Sequence, residues 1–576
     1  MIRRRPFSWH ASGAALLCLA AFALSAILSR TVFERLPHLE DELAYLWQAR
    51  TYAGGNWVIP TPEPEDAFWQ PFVVDHNGLR FGKYTPGYPL ILMIGVWLGQ
   101  LWIVNALLAA VGVALVFRLG SAVFNPDTGL IAAALTAFSP MALLLNATLM
   151  GHALALCCAA LFMWSMWQIE RRPRPLIWGV IGGLALGLLI ATRALTALAV
   201  ALPFAAWSLR RLLAARQRRA VFIPLAALAV CALPGAALIP MYSHAATGDP
   251  LKNLYTLVWS YDRVGFGEGA GRNVHTLEKG IRHARYDLSL TAADLFGWQI
   301  GTIDDAARIH LTTRSDYYPH VGVSWALLPL ALAVIYRWRA LWIALWLAAL
   351  AAWVIAPHLI DGGRLTRDPG FAYIWVASAL IGALLPALLA RTARARWAAL
   401  LMAVALCIVG VQVAYWIGSQ RYSTRYFYEA LPALAILSAV PLAWIARRRL
   451  RGAVYGLVGA ALVYSLVTYS LPRIDLLYRY NRISPELIEG IQARRDGDRP
   501  VLALVNGTNV RWRSFGALMA VTSPYLDSEI VAAWNFRGSA SDAVREQILA
   551  RFPDRQVIEL EAVENQAWFI DERAAE

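Results

Sequence analysis

Asp41 and Glu42 are the residues whose type and position most plainly ask for a chemical explanation. They follow a long apolar run and open the segment Glu42-Leu-Ala-Tyr-Leu-Trp-Gln-Ala-Arg50, whose spacing predicts an amphipathic helix. Carboxylates at a membrane surface are costly to bury, and partial burial plus a neighbouring acid is expected to lift Asp41 toward neutrality, the range of a general base. Acids at a helix start also satisfy the macrodipole, so capping is the plain structural alternative. The same polar segment ends in Arg80-Phe-Gly-Lys-Tyr-Thr-Pro-Gly-Tyr-Pro89, which sets Arg80, Lys83 and Tyr84 beside a Pro-Gly turn. Lysine as a point charge and arginine as a fork suit a phosphate.

Further along, Arg421-Tyr-Ser-Thr-Arg-Tyr-Phe-Tyr428 brings Arg421, Arg425, Tyr426 and Tyr428 to the start of a late apolar run. An interfacial Arg/Tyr belt would account for them, but arginines on the outer side of a membrane run against the usual charge bias and ask for an anion. His152 and Arg193 each sit at a short turn between apolar runs, where an arginine without a partner is expensive. A lone histidine such as His152 is more often structural than a partner for substrate, and Arg193 is read as paired with a first-loop acid or facing the substrate. The glycines in Gly265-Phe-Gly-Glu-Gly-Ala-Gly-Arg-Asn-Val-His275 lack the preceding strand and the Gly-Lys-Ser/Thr of a nucleotide cradle. His275 and Glu268 could approach a metal, but two residues do not make a site. No cofactor is demanded, and a divalent metal stays open because no complete ligand set is visible. Asp361, Arg364 and Arg367 form one more polar turn, and Asn146-Ala-Thr148 and Asn506-Gly-Thr508 fit a glycosylation tripeptide that arises often by chance.

These residues need a scaffold, and composition says which kind. The 576-residue chain is 58% hydrophobic and 16% charged, where a soluble protein carries about 25% charge. The apolar residues come in long runs, so the predicted fold is an all-α polytopic membrane protein of about thirteen transmembrane helices. Spans are drawn near 12–30, 102–119, 129–145, 149–168, 174–191, 195–210, 220–240, 319–336, 338–356, 371–390, 397–417, 427–446 and 453–471. Pro86–Gly95 is too short to cross and is expected to turn back or lie against the bundle. The basic start Arg3-Arg-Arg5 leads into a run of spanning length without a small-residue cleavage site, so it reads as a retained first span. The five cysteines all lie in apolar runs and suggest neither a disulfide framework nor a zinc site.

The net charge of +14 would raise nucleic acid as a partner of a soluble protein. Here the arginines cluster in short loops, at 171–174, 210–219, 337–339, 391–396 and 447–451, and all fall on the amino-terminal side. That is the positive-inside pattern: a cytoplasmic amino terminus, anionic lipid as the bland partner, and no nucleic acid. Two outer loops, about 31–88 and 241–318, and a tail then lie outside. The expected organisation is a membrane module over 1–471 and a small extracytoplasmic α/β domain over 472–576, with strands at Pro500–Val505 and Gln556–Leu560 flanking a helix at Ser541–Arg551.

The acid pair after the first span, the Gly82-Lys-Tyr-Thr-Pro-Gly-Tyr-Pro89 element before the second, the 421–435 stretch and the span count with a soluble tail together resemble the C-type (GT-C) glycosyltransferase superfamily. The likeness is to its bacterial protein O-mannosyltransferase-like and aminoarabinose-transferase-like branch, and it covers about residues 1–470. It implies an inner-membrane enzyme of the cell envelope that takes a sugar from a polyprenyl-phosphate carrier and passes it, with inversion, to a lipid, glycan or protein acceptor. By the same resemblance Asp41 is the base, Glu42 its orienting neighbour, and Lys83 and Arg425 the cations at the leaving phosphate, with Tyr84, Arg80, Arg421 and Tyr428 around them. His152, Arg193 and His275 would face substrate. Relatives often carry a second acid in the short loop before His152, and this chain has none there. A transporter or flippase of a lipid-linked substrate is the alternative, and it predicts broken, repeated helices with charges near the bilayer midplane. An envelope scaffold working through its tail is the third reading.

Overall fold

The computed structural model describes residues 9–171, 174–300, 321–328, 330–331, 392–418, 420–535 and 541–573. Among them nine helices are long and apolar enough to cross a bilayer, or ten if one bent pair counts as a single span. These ten correspond one to one with ten of the expected spans. The spans drawn at 338–356 and 371–390, most of that at 319–336, the arginines at 337, 339 and 391, and the turn carrying Asp361, Arg364 and Arg367 lie outside the described residues.

The first span, α1 (Trp9–Thr31), leads straight into α2 (Glu40–Ala53), the predicted amphipathic helix. A three-stranded antiparallel sheet follows: β1 (Ile59–Pro60), β2 (Val73–His76) and β3 (Leu79–Gly82) in the order β1-β3-β2. The sheet was not expected from the sequence. Then α3 (Gly87–Trp97) is an eleven-residue helix too short to span, as Pro86–Gly95 predicted. Its Pro-Gly start has a packing reason: a Cβ on Gly87 would lie 2.6 Å from the Ala191 carbonyl carbon.

The chain continues through the span α4 (Trp102–Val123), the pair α5 (Pro126–Ala137) and α6 (Pro140–Asn146), and the spans α7 (His152–Arg171), α8 (Pro175–Thr192), α9 (Ala194–Ala214) and α10 (Arg218–Thr247). Pro140 ends α5 and the chain turns by 58° into α6. Small residues let α8 and α10 approach backbone to backbone, and a Cβ on Gly235 would sit 2.2 Å from Gly187. The large apolar side chains Leu16, Leu19 and Ile27 on α1, and Phe222, Val230 and Leu233 on α10, are exposed. They face the hydrocarbon that is this protein's solvent.

The second loop contains α11 (Leu277–Asp294), and α12 (Ala393–Val413), α13 (Leu431–Ile445) and α14 (Arg451–Ser465) come after it. A 3-10 turn, Arg425–Ala430, leads into α13. The tail builds a four-stranded sheet from β4 (Val501–Asn506), β5 (Ile530–Asn535), β6 (Gln556–Val563) and β7 (Gln566–Phe569), in the order β7-β6-β4-β5. β6-β4 and β4-β5 are parallel and β6-β7 is antiparallel. β4 and β6 are the two expected strands, and the helix Ser541–Arg551 forms as predicted. Neither glycosylation tripeptide offers its asparagine: Asn146 is buried at the end of α6 and Asn506 within β4.

Candidate active site

The ends of the spans sort the charges. α7, α8 and α9 each carry an arginine cluster or its loop at one end, and at the other end they reach one shared cavity. α12 does the same, and α13 reaches it through the 3-10 turn that leads into it. That cavity, about 360 Å³, is lined from α2 by Asp41 and Tyr45, from the first loop by Phe72, Lys83 and Tyr84, and from the turns by His152, Arg193, Arg421 and Arg425. The second loop adds Tyr255, Trp259 and Asp262. Its volume falls within the roughly 300–1,000 Å³ of small-molecule sites.

Asp41 is held by three groups. The Tyr84 hydroxyl donates to Oδ1 at 2.8 Å, Arg425 Nη1 lies 3.5 Å from Oδ2, and the Lys83 charge acts on it as well. Burial pushes this carboxyl up, but Arg425, Tyr84 and Lys83 together outweigh it and leave Asp41 below the ordinary aspartate range. This corrects the expectation of a pKa raised toward neutrality: the neighbours that dominate are cations, not Glu42. The raised carboxyl is Glu42, pushed up to about 7 by burial in spite of hydrogen bonds from Tyr422 and Leu149. Glu42 points away from the cavity, accepting from the Leu149 amide at 2.9 Å and from the Tyr422 hydroxyl.

Lys83 is fixed by its backbone neighbours. Its amide donates to Phe72 O at 3.0 Å, Tyr242 donates to Gly82 O at 2.8 Å, and the Gln48 amide donates to Tyr84 O at 2.9 Å. The ammonium lies 3.6 Å from the Phe72 ring centroid and 4.6 Å from that of Trp259, with Tyr84 and Tyr255 at 5.2 Å. Asp262 lies 3.8 Å from it. Burial lowers this lysine to about 8, although Asp262 and Asp41 hold it up. Phe72 reaches over the ammonium from a left-handed backbone, φ +60°, a conformation a bulky residue adopts only where packing imposes it.

Arg425 is buried, and its Nε and Nη1 hydrogens have no hydrogen-bond acceptor. Beside it, Glu429 Oε1 sits 3.0 Å from His152 Nδ1 and 3.2 Å from Arg193 Nε, while Arg193 Nη1 lies 3.2 Å from His152 Nε2. Glu429, from the 421–435 stretch, is thus the acid that faces both His152 and Arg193. Beneath, Asp294 accepts from the Thr424 amide at 2.9 Å, from Tyr469 at 2.7 Å and from Arg473. Arg473 in turn donates to the Tyr422 carbonyl, so one buried ion pair sets the backbone between Glu42 and Arg425.

Seven of the eleven predicted site residues line the cavity: Asp41, Lys83, Tyr84, His152, Arg193, Arg421 and Arg425. Four do not. Glu42 is turned inward as described. Arg80 pairs with Asp75 across the β2-β3 hairpin, at 2.5 Å, and donates to the Phe68 carbonyl. Tyr428 donates to Asn146 Oδ1 inside the bundle at 3.0 Å. His275 bonds the Val413 carbonyl at 3.0 Å and stacks on Phe266. Asp262, Trp259 and Glu429 were missed. Among the described residues no three His, Cys, Asp or Glu side chains group as metal ligands.

Residues 89–235 match the family described as dolichyl-phosphate-mannose-protein mannosyltransferase. The match runs from α3 into α10 and covers about a quarter of the chain. No curated protein matches the chain. Among solved structures the chain is similar to the archaeal oligosaccharyltransferase AglB from Archaeoglobus fulgidus in complex with an inhibitory peptide and a dolichol-phosphate, at 14% identity and TM-score 0.42, covering 96% of this chain and 70% of that one. It is also similar to ArnT from Cupriavidus metallidurans bound to undecaprenyl phosphate, at 13% identity and TM-score 0.42, covering 96% and 90%.

Proposed function

We propose that this protein is an integral-membrane glycosyltransferase that moves a sugar from a polyprenyl-phosphate carrier to an acceptor on the extracytoplasmic face. The observation that carries the reading is the convergence of Asp41, Lys83, Tyr84 and Arg425 in one cavity at the ends of the spans remote from the arginine loops. The family match over 89–235 supports the same class. Positive-inside bias supports an outward-facing cavity, and the reading includes a bacterial inner membrane and a soluble domain of residues 472–576 on that outer side.

The chemistry is a single displacement. The acceptor hydroxyl gives its proton to Asp41, its oxygen bonds to the anomeric carbon, and the bond from that carbon to the phosphate oxygen breaks with inversion. Polyprenyl phosphate leaves with the electron pair, and Lys83 and Arg425 offset the charge that develops on it. As the site stands, both cations serve Asp41, which makes it a weak base. A phosphate between them takes their charge for itself, and Asp41 then becomes basic as the donor is seated. The aromatic wall of Phe72, Tyr255 and Trp259 excludes water from the same charges and strengthens them.

The test is transfer from radiolabelled polyprenyl-phosphate sugars by purified protein and membrane extract, with and without chelator. Asp41→Asn is expected to lower turnover by about 10²- to 10⁴-fold while lipid-phosphate binding persists. Full turnover in that variant removes Asp41 as the base.

A further inference from the structure

A second concavity lies where the first loop meets the tail, and it shares no lining residue with the active-site cavity. It measures about 600 Å³ and is walled by Asp66 and Trp69 from the loop, by Arg511, Trp512 and Arg513 after β4, and by Trp534 on β5. Trp69 is 41% exposed although the apolar core of the tail lies beside it. Arg513 is half-buried and its Nε hydrogen has no acceptor. Three indoles in one groove with two guanidinium groups and one carboxylate are more than a soluble seam needs.

We propose that this groove binds the carbohydrate portion of the acceptor. A pyranose ring offers a face of C–H groups that stacks on indole and a rim of hydroxyls that accept from arginine and donate to carboxylate, and this groove holds all three kinds of partner. A lipid tail would have no use for Asp66, Arg511 and Arg513, and Asp66 opposes a phosphate-rich ligand. Position gives the groove its task. The Trp512 indole N–H donates to Glu40 Oε1 at 2.9 Å, and Glu40 lines the active-site cavity next to Asp41. One tryptophan therefore forms the wall of the groove and touches the rim of the cavity, so a glycan held in the groove ends near the proposed base. The assignment of that glycan as acceptor rests on the glycosyltransferase reading. Its binding does not.

The experiment uses full-length protein in lipid nanodiscs, free of sugar-headed detergent. Binding of neutral linear hexasaccharides of glucan, mannan and chitin type is measured by calorimetry, with undecaprenyl phosphate measured on the same samples. At least one hexasaccharide is expected to bind. Trp69→Ala and Arg511→Ala, both on exposed side chains, are each expected to weaken it about tenfold, the scale of one lost stacking or charged contact, and to leave the lipid affinity unchanged. Absence of hexasaccharide binding, wild-type affinity in both variants, or capture at these residues of an unglycosylated peptide instead, overturns the proposal. Hexasaccharide binding without lipid-phosphate binding keeps the groove and sinks the transferase reading.

Discussion

Lys83 combines two demands that pull against each other. A phosphate ligand needs it charged, while its aromatic surroundings and near-complete burial favour the neutral amine and bring it down to about 8. The folded pKa is below the unfolded one, so this lysine binds its proton fully only below about pH 8, and the folded form gains relative stability as pH rises from there toward 10.5. Phosphate recognition follows the opposite course: affinity for undecaprenyl phosphate is expected to fall as pH rises through about 8. Lys83→Arg keeps its charge across that range and should flatten the fall, although the flat fork fits the ring cage poorly and lowers affinity at neutral pH. Calorimetric titrations from pH 6.5 to 9.5 check this, and a wild-type affinity constant over the range refutes it. The charged residues were legible because they are scarce against an apolar background, and a scarce charge beside a helix break stands out. Their partners were not. Glu429 reaches His152 across 277 positions and sits in an aromatic stretch that reads as interfacial belt, while Asp262 lies in a loop whose glycines drew attention instead.

Elements place these side chains through buried polar contacts that ordinary periodicity does not disclose. Most spans were readable from apolar run length, because lipid leaves the backbone little choice but helix. The β1-β3-β2 sheet was not, since its strands are at most four residues long and carry no clear alternation. The turn between α12 and α13 is set by Asp294 and Arg473, and it carries Tyr422 in a left-handed conformation, φ +61°. That strain aims the Tyr422 hydroxyl at Glu42 while the ring packs edge-on against Phe33 at 5.3 Å. Tyr422→Phe keeps the ring and deletes the hydroxyl. Its hydrogen bond is one of the influences holding Glu42 down, so the variant should raise Glu42 above about 7 and keep it protonated at higher pH. Glu42 is higher folded than unfolded, so its stabilising contribution is complete below about 4.5 and is lost as pH rises through about 7. In Tyr422→Phe that loss moves to higher pH. Thermal unfolding followed across pH 4 to 9 reads the displacement, and an unmoved profile would show that the Tyr422 contact does not govern Glu42.

At the scale of the whole molecule, α2 is the shared wall of two bodies. Ala44, Tyr45 and Ala49 pack into the membrane core. Leu43 and Leu46 pack with Ile483, Val501, Phe515 and Leu518 of the tail. The helix carrying Asp41 is thus braced from both sides, and a tail that reads as a separate domain in the sequence also packs on that helix. The bracing is polar at the far end of α2. Arg50 donates to the Ala520 carbonyl at 2.6 Å and to the Thr522 carbonyl at 3.2 Å, and the Tyr525 hydroxyl donates to the Thr51 carbonyl at 3.0 Å. Hydrogen bonds to a charged donor contribute about 1.5–3 kcal/mol each, and their removal strands two carbonyls. Arg50→Ala lies at the opposite end of α2 from Asp41, and it touches neither the cavity nor the hexasaccharide groove. It is nevertheless expected to lower turnover several-fold, because a loosened α2 misplaces Asp41 relative to the bound donor. Donor affinity, which the proposed function assigns to Lys83 and Arg425, should stay close to wild type, and Arg50→Lys should recover part of the turnover through one of the two bonds. Gly54→Ala tests the same seam from a second side, since its Cβ would lie 2.3 Å from the Tyr525 hydroxyl and force it off Thr51. Both variants losing turnover at unchanged donor affinity locates the effect in the seam. Wild-type turnover in both would mean that α2 keeps its place through the membrane core alone and that the tail serves only the groove.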